Sequence, residues 1–105
     1  MAHPFPVASA TTETLSGTRT ITAAEVKEST IFVFDPGGAG RNVDIPAASA
    51  ANAGSFLVIA NAADAAEVLT VREGGSTTVV TPTQAETAIL FSTGSKWYGI
   101  AGANS

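Results

Sequence analysis

Apolar residues along this chain come in short runs, not at helical spacing. Thr30-Ile-Phe-Val-Phe34 and Phe56-Leu-Val-Ile-Ala60 are apolar at nearly every position. As strands they present apolar side chains to both faces, so they lie inside a sandwich or barrel, or turn one face toward another subunit. Between them Asn42-Val-Asp-Ile45 alternates, Val43 and Ile45 inward and Asn42 and Asp44 outward. Thr14-Leu-Ser16 and Thr18-Arg-Thr-Ile21 flank Gly17 and predict a first strand with a weak centre. Val68-Leu-Thr-Val-Arg72 and Thr77-Thr-Val-Val80, parted by Glu73-Gly-Gly-Ser76, predict a hairpin. Thr87-Ala-Ile-Leu-Phe91 and Lys96-Trp-Tyr-Gly-Ile-Ala101, joined by Ser92-Thr-Gly-Ser95, predict a second.

Helical signal is confined to short stretches. Thr22-Ala-Ala-Glu25 has the pattern of a capping box and predicts one or two turns over residues 23–28. The alanine-rich piece from Pro46 to Gly54 fits a helical turn or a compact loop, and Asn61 to Glu67 reads as a loop of small residues. Asp35-Pro-Gly-Gly-Ala-Gly-Arg41 reads as a hairpin or bulge connection. Strands recurring about every eight to twelve residues with turn chemistry between them predict an all-β fold: a compact antiparallel sandwich or small barrel with one or two short helical turns. Residues 1–12 form an extended N-terminal arm, because Pro4 and Pro6 favour extended geometry and remove two amide donors. Residues 13–105 form a single β domain.

Composition narrows the function classes. The 105 residues include 20 alanines, 14 threonines and 10 glycines, and 13% are charged, about half the usual share. The net charge of −4 argues against binding nucleic acid, which calls for a basic stripe. There is no cysteine, and the single histidine, His3, lies in the arm. Thiolate zinc sites and cysteine nucleophiles are thereby excluded, and a histidine-based triad has no ordered base. The glycine-rich loop ends in Arg41-Asn42 and not in the Lys-Ser/Thr pair of a phosphate-binding loop. Asp35, Asp44 and Asp64 are scattered along the chain without a calcium-loop pattern. The expectation is therefore no enzyme, no metal and no cofactor.

No apolar run approaches the roughly 20 residues of a membrane helix. MAHPFPVASA lacks the basic and apolar regions of a signal peptide, so no membrane association and assembly in a cytoplasm are expected. Trp97 is expected in the core, with Tyr98 facing out or toward a neighbour as an exposed interaction residue. So few charges leave a neutral, small-residue exterior suited to packing against identical copies, and a homo-oligomer is expected.

The segments Thr20-Ile-Thr-Ala-Ala-Glu-Val26, Ser29-Thr-Ile-Phe-Val33, Arg41-Asn-Val-Asp-Ile-Pro-Ala47, Gly54-Ser-Phe-Leu-Val-Ile-Ala-Asn61 and Gly94-Ser-Lys-Trp-Tyr-Gly-Ile100 together resemble small β modules of tailed-bacteriophage virion proteins. The likeness covers roughly residues 18–101 and rests on strand and turn positions. It implies a structural virion protein. With no room for a long shaft, the chain is most similar to a capsid decoration (cement) protein. Such proteins commonly sit as trimers on the capsid surface and clamp neighbouring capsomers, so the implied partners are the major capsid protein and copies of this chain. Pro4, Phe5, Pro6 and Val7 are the expected shell-binding residues, on the ground that an apolar arm has no other evident use. The alternatives are a tail-fibre or head-fibre module binding a host receptor or glycan, with Tyr98 and the turn at residues 92–95 at the contact, and a non-viral β oligomer of lectin-like or scaffold type.

Overall fold

The computed structural model describes residues 11–103; the proposed shell-binding residues Pro4, Phe5, Pro6 and Val7 lie outside them. Among the described residues the chain forms β1 (Thr12–Thr14), β2 (Arg19–Thr20), α1 (Ala23–Glu28), β3 (Ile31–Asp35), β4 (Arg41–Ile45), a 3-10 turn (Ala50–Asn52), β5 (Phe56–Asn61), β6 (Leu69–Glu73), β7 (Thr77–Val80), β8 (Glu86–Ser92) and β9 (Trp97–Ala103). The strands build two sheets, ordered β1-β3-β5-β8-β9 and β2-β4-β6-β7.

The fold is sandwich-like and mostly β, as the strand spacing predicts, but it is not purely antiparallel. β1 pairs with β3 and β3 with β5 in parallel, and so do β2 with β4 and β4 with β6. The chain alternates between the sheets and advances one place at each return, so its first six strands wind as a flattened coil. A parallel pair needs a crossover connection. Here a strand of the opposite sheet supplies it, where most folds use a helix. Period-two alternation is blind to strand direction, which is why the sequence pattern did not reveal this. Only the last part of the chain folds back on itself, through the predicted hairpins β6–β7 and β8–β9 and the antiparallel pairing of β5 with β8.

Two local expectations need correction for the same reason. Residues 14–21 do not make one weak strand: Leu15 to Thr18 turn a corner that puts β1 and β2 in different sheets. The loop after Asp35 is also a corner between sheets, not a hairpin or bulge. Successive corners stack through backbone bonds that prolong the ladders, Leu15 N–H to Asp35 O at 2.8 Å and Arg41 N–H to Val68 O at 3.0 Å. Asp35 Oδ1 accepts from the Gly37 amide at 3.0 Å, an aspartate-led turn. Gly37 has φ +78°, and a Cβ there would run into the Leu15 carbonyl oxygen of the preceding corner.

Between the sheets lies a closed apolar core. Phe34, Leu57, Ile59, Ala88, Leu90 and Trp97 meet Val43, Ile45, Leu69 and Val71, and Val26 of α1 covers one opening. Helix α1 carries the expected capping box: Thr22 Oγ1 accepts from the Glu25 amide, and Glu25 Oε1 accepts from the Thr22 amide. It stops after six residues, where Ser29 and Thr30 lead into the β-branched and aromatic run of β3.

Polar side chains pin the connections. Asn52 Nδ2 donates to Ala47 O at 2.9 Å, while its Oδ1 accepts from the Ser49 amide at 3.0 Å and the buried Ser92 hydroxyl at 2.7 Å. Asn61 Nδ2 donates to Glu67 O and Pro82 O, and its Oδ1 accepts from the Ala63 amide. The Trp97 indole N–H donates to Pro46 O at 2.8 Å. Three substitutions test this construction. Gly37→Ala should lower the unfolding free energy by about 2–3 kcal/mol, read from the urea midpoint. Gly17→Ala, where a Cβ meets nothing within 4 Å, should leave it within about 0.5 kcal/mol. Asn52→Ala should cost about 2 kcal/mol, because three buried or half-buried groups lose their partner at once.

Candidate interaction surface

The two sheets are alike inside and opposite outside. Register places the outward residues of the five-stranded sheet in rows across the strands. One row is Ile31, Val58, Ile89 and Ile100; the next is Phe56, Phe91 and Tyr98; a third is Thr12, Val33, Ala60, Thr87 and Gly102. Ile100 is 72% exposed and Ile31, Phe91 and Tyr98 are each close to half exposed, with Phe56 and Ile89 only slightly less so. The Phe91 and Tyr98 rings stack with centroids 5.5 Å apart. Lys96 flanks this pair, its ammonium 5.2 Å from the Tyr98 ring centre. Asp35 closes the β3 column at the far end, and no charged side chain stands in the rows between.

The outward face of the four-stranded sheet carries Thr20, Asn42, Asp44, Thr70, Arg72 and Thr78. Asp44 and Arg72 are direct cross-strand partners and form a two-pronged ion pair of 2.8 and 3.0 Å. That hydrogen-bonded partnership raises the Arg72 pKa. One face is thus built for water and the other is not. The structure places Tyr98 on the apolar face and Trp97 in the core, 2% exposed. Sequence reasoning singled out Tyr98 and missed Ile31, Phe56, Ile89, Phe91 and Ile100. The signal for Ile31 and Phe56 was present in β3 and β5, whose runs are apolar on both sides; Ile89, Phe91 and Ile100 join them only through the register of β8 and β9.

Gly99 explains how β9 seats this face so close to the second sheet. A Cβ at Gly99 would lie 3.2 Å from Leu90 and 3.3 Å from Val79, tight enough that those side chains would have to give way. Neighbouring Tyr98 and Ile100 stand outward by the alternation of the strand.

Two charged clusters lie elsewhere. Arg19 donates to Glu13 at 2.9 Å and to both Glu25 oxygens at 2.9 and 2.7 Å, with its guanidinium 5.6 Å from the Phe34 ring centre. It fastens β1, β2 and α1 together where the coil begins. The hydrogen bonds from Arg19, outweighing desolvation, hold the Glu25 carboxyl at about 2, down from an ordinary 4.5, and the same bonds raise Arg19.

The second cluster corrects the expectation that the acids are scattered. Asp35, Asp64 and Glu67 bring carboxylate oxygens within 4.8 Å of one another, because the corners after β3 and β5 stack. Asp44 is not among them; it is committed to Arg72. Glu67 Oε1 is buried without a hydrogen-bond partner among the described residues. Three such carboxylates could supply part of the oxygen set of a hard cation of the calcium kind, which takes six to eight oxygens in all. No helix among the described residues is long and apolar enough to cross a membrane.

The Glu25 shift has a definite sign. Its folded-state pKa lies below the unfolded value, so the stability it contributes is complete above about pH 4.5 and is lost as pH falls toward 2. The melting temperature of the native chain should therefore fall more steeply between pH 5 and pH 2 than that of Glu25→Gln, as followed by circular dichroism. Parallel curves would remove the Arg19–Glu25 pair from the account. No protein-family model, curated protein or solved structure matches this chain.

Proposed function

We propose that this chain is a structural protein of a tailed-bacteriophage virion, a capsid decoration protein that binds the assembled shell as a homo-oligomer and stabilises it by packing. The observation that carries the reading is the outer face of the five-stranded sheet: apolar across four strands, free of charge in its interior, and set opposite a polar face. A surface of that kind suits permanent contact with protein. The resemblance of residues 18–101 to phage virion modules supports the same reading. The major capsid protein is the proposed partner, the capsid surface the proposed location, and assembly takes place in the host cytoplasm.

The mechanism is mass action. A ligand that binds only the mature shell stabilises it by RT ln(1 + [L]/Kd) at each site, with no bond made or broken in the process. Residues 4–7 remain the proposed shell contact. A second reading, a fibre module binding receptor or glycan, is favoured by one feature: the exposed Phe91–Tyr98 stack, a surface on which the apolar face of a sugar can lie.

Quantitative mass spectrometry of purified particles tests the choice. The proposal predicts a simple whole-number ratio of this chain to the major capsid protein. A handful of copies per particle would transfer it to a tail or vertex and favour the fibre reading. Absence from particles would end the virion proposal. Shells decorated with the chain should also withstand heating better than bare shells, and removing residues 1–12 should weaken binding at least tenfold.

A further inference from the structure

We infer that the apolar outer face of β3, β5, β8 and β9 is covered by another copy of this chain. The inference rests on the oligomeric-module reading above and names the surface that makes the oligomer.

Area is the first argument. Six large side chains, Ile31, Phe56, Ile89, Phe91, Tyr98 and Ile100, stand between 38% and 72% exposed. They present roughly 550 Å² of surface, already at the upper end of what single exposed patches on monomers reach. Half-buried Val33, Val58, Ala60 and Thr87 border them and bring the face near the roughly 800 Å² that each partner contributes to a stable interface.

Charge is the second argument. A two-fold contact between identical subunits sets a patch against itself, so a charge inside it meets its like. This face holds none in its interior, although the chain as a whole carries −4. The surplus acids sit at the corners and on other elements. A membrane or a polyanion as the occupant would call for a basic border. Among the described residues, Lys96 flanks the rows at β9, Arg19 lies beside Ile31 and Val33 but is paired with Glu13 and Glu25, and Arg41 and Arg72 belong to the other sheet.

Shape is the third. The occupant must match a pleated surface whose strands lie about 4.8 Å apart and whose rows, two residues along each strand, lie about 6.6 Å apart. A second sheet of the same pleat interdigitates with them at the usual separation of about 10 Å. The sheet of that pleat nearest to hand is the same face of another copy.

The test is the mass of the purified full-length chain at micromolar concentration by sedimentation equilibrium. The native chain should give a multiple of 10.5 kDa. Ile100→Glu places a charge on the most exposed position of the face and should weaken association roughly 100-fold, with far-UV circular dichroism unchanged. Ile89→Thr keeps a β-branched residue in the middle of the same row and should shift the equilibrium in the same direction should Ile100→Glu fail to fold. Thr78→Glu, on the polar face of the other sheet, should keep the native mass. A monomeric native chain, or a native mass retained by both face variants, would overturn the inference. A monomer whose shell binding is abolished by Ile100→Glu would assign the face to the shell protein, overturning the inference while leaving the proposed function standing. An oligomer made through this face in a chain absent from particles would do the reverse.

Discussion

Strands that are apolar on both sides impose the constraint from which the rest of this molecule follows. Such a strand has two faces to keep from water, and a sandwich covers only one. β3, β5 and β8 meet the requirement inward with Phe34, Leu57, Ile59 and Leu90, fully enclosed against the second sheet. Outward, the same strands carry Ile31, Phe56, Ile89 and Phe91, which stay between 38% and 48% exposed. The second sheet has no such residue in excess, because β4 and β6 alternate strictly and turn Asp44 and Arg72 to solvent. The difference between the sheets is written residue by residue, and it turns polar and paired charged side chains outward on one sheet and large apolar ones outward on the other.

Winding the chain as a coil puts these strands side by side. The coil sets β3 beside β5 in parallel, and β8 and β9 then join by antiparallel pairing, so the outward apolar residues of the four strands line up in register as rows. A coil of this kind depends on its corners, since successive turns must stack without a helix to space them. That is where the polar side chains are employed. Asn52 and Asn61 satisfy loop carbonyls and amides, Arg19 fastens the first turn to α1, and Gly37 lets one corner rest on the one before. Among the described residues, most of the hydrogen-bonding and charged groups that look chemically interesting are occupied in this way, and the outer apolar face stands exposed.

How much of this was legible in the sequence follows from what each signal encodes. Gly74 and Gly75 between β-branched runs specify a hairpin locally, so β6–β7 could be read directly; Ser92 to Ser95 did the same for β8–β9. The Thr22–Glu25 capping box is likewise local and marked α1. The parallel pairing of β1, β3 and β5 was not legible, because alternation of side chains is the same whichever way a strand runs. Sheet membership was hidden too: Asp35-Pro-Gly-Gly is turn chemistry whether the chain doubles back or crosses to the other sheet. The gathering of Asp35, Asp64 and Glu67 depends on that stacking and could not be seen from their spacing. The outer face was half visible, in runs with no polar alternation at residues 30–34 and 56–60. Its extension to Ile89 and Ile100 required the register.

Hydroxyl-radical footprinting of the full-length chain at two concentrations tests the central claim most directly. The account predicts that Phe91, Tyr98 and Ile100 are protected at high concentration and become reactive on dilution, while Thr20 and Thr78 on the polar face react equally at both. Equal and full reactivity of Phe91, Tyr98 and Ile100 at every concentration would contradict it, since the apolar face would then stand open to water with no copy of the chain upon it.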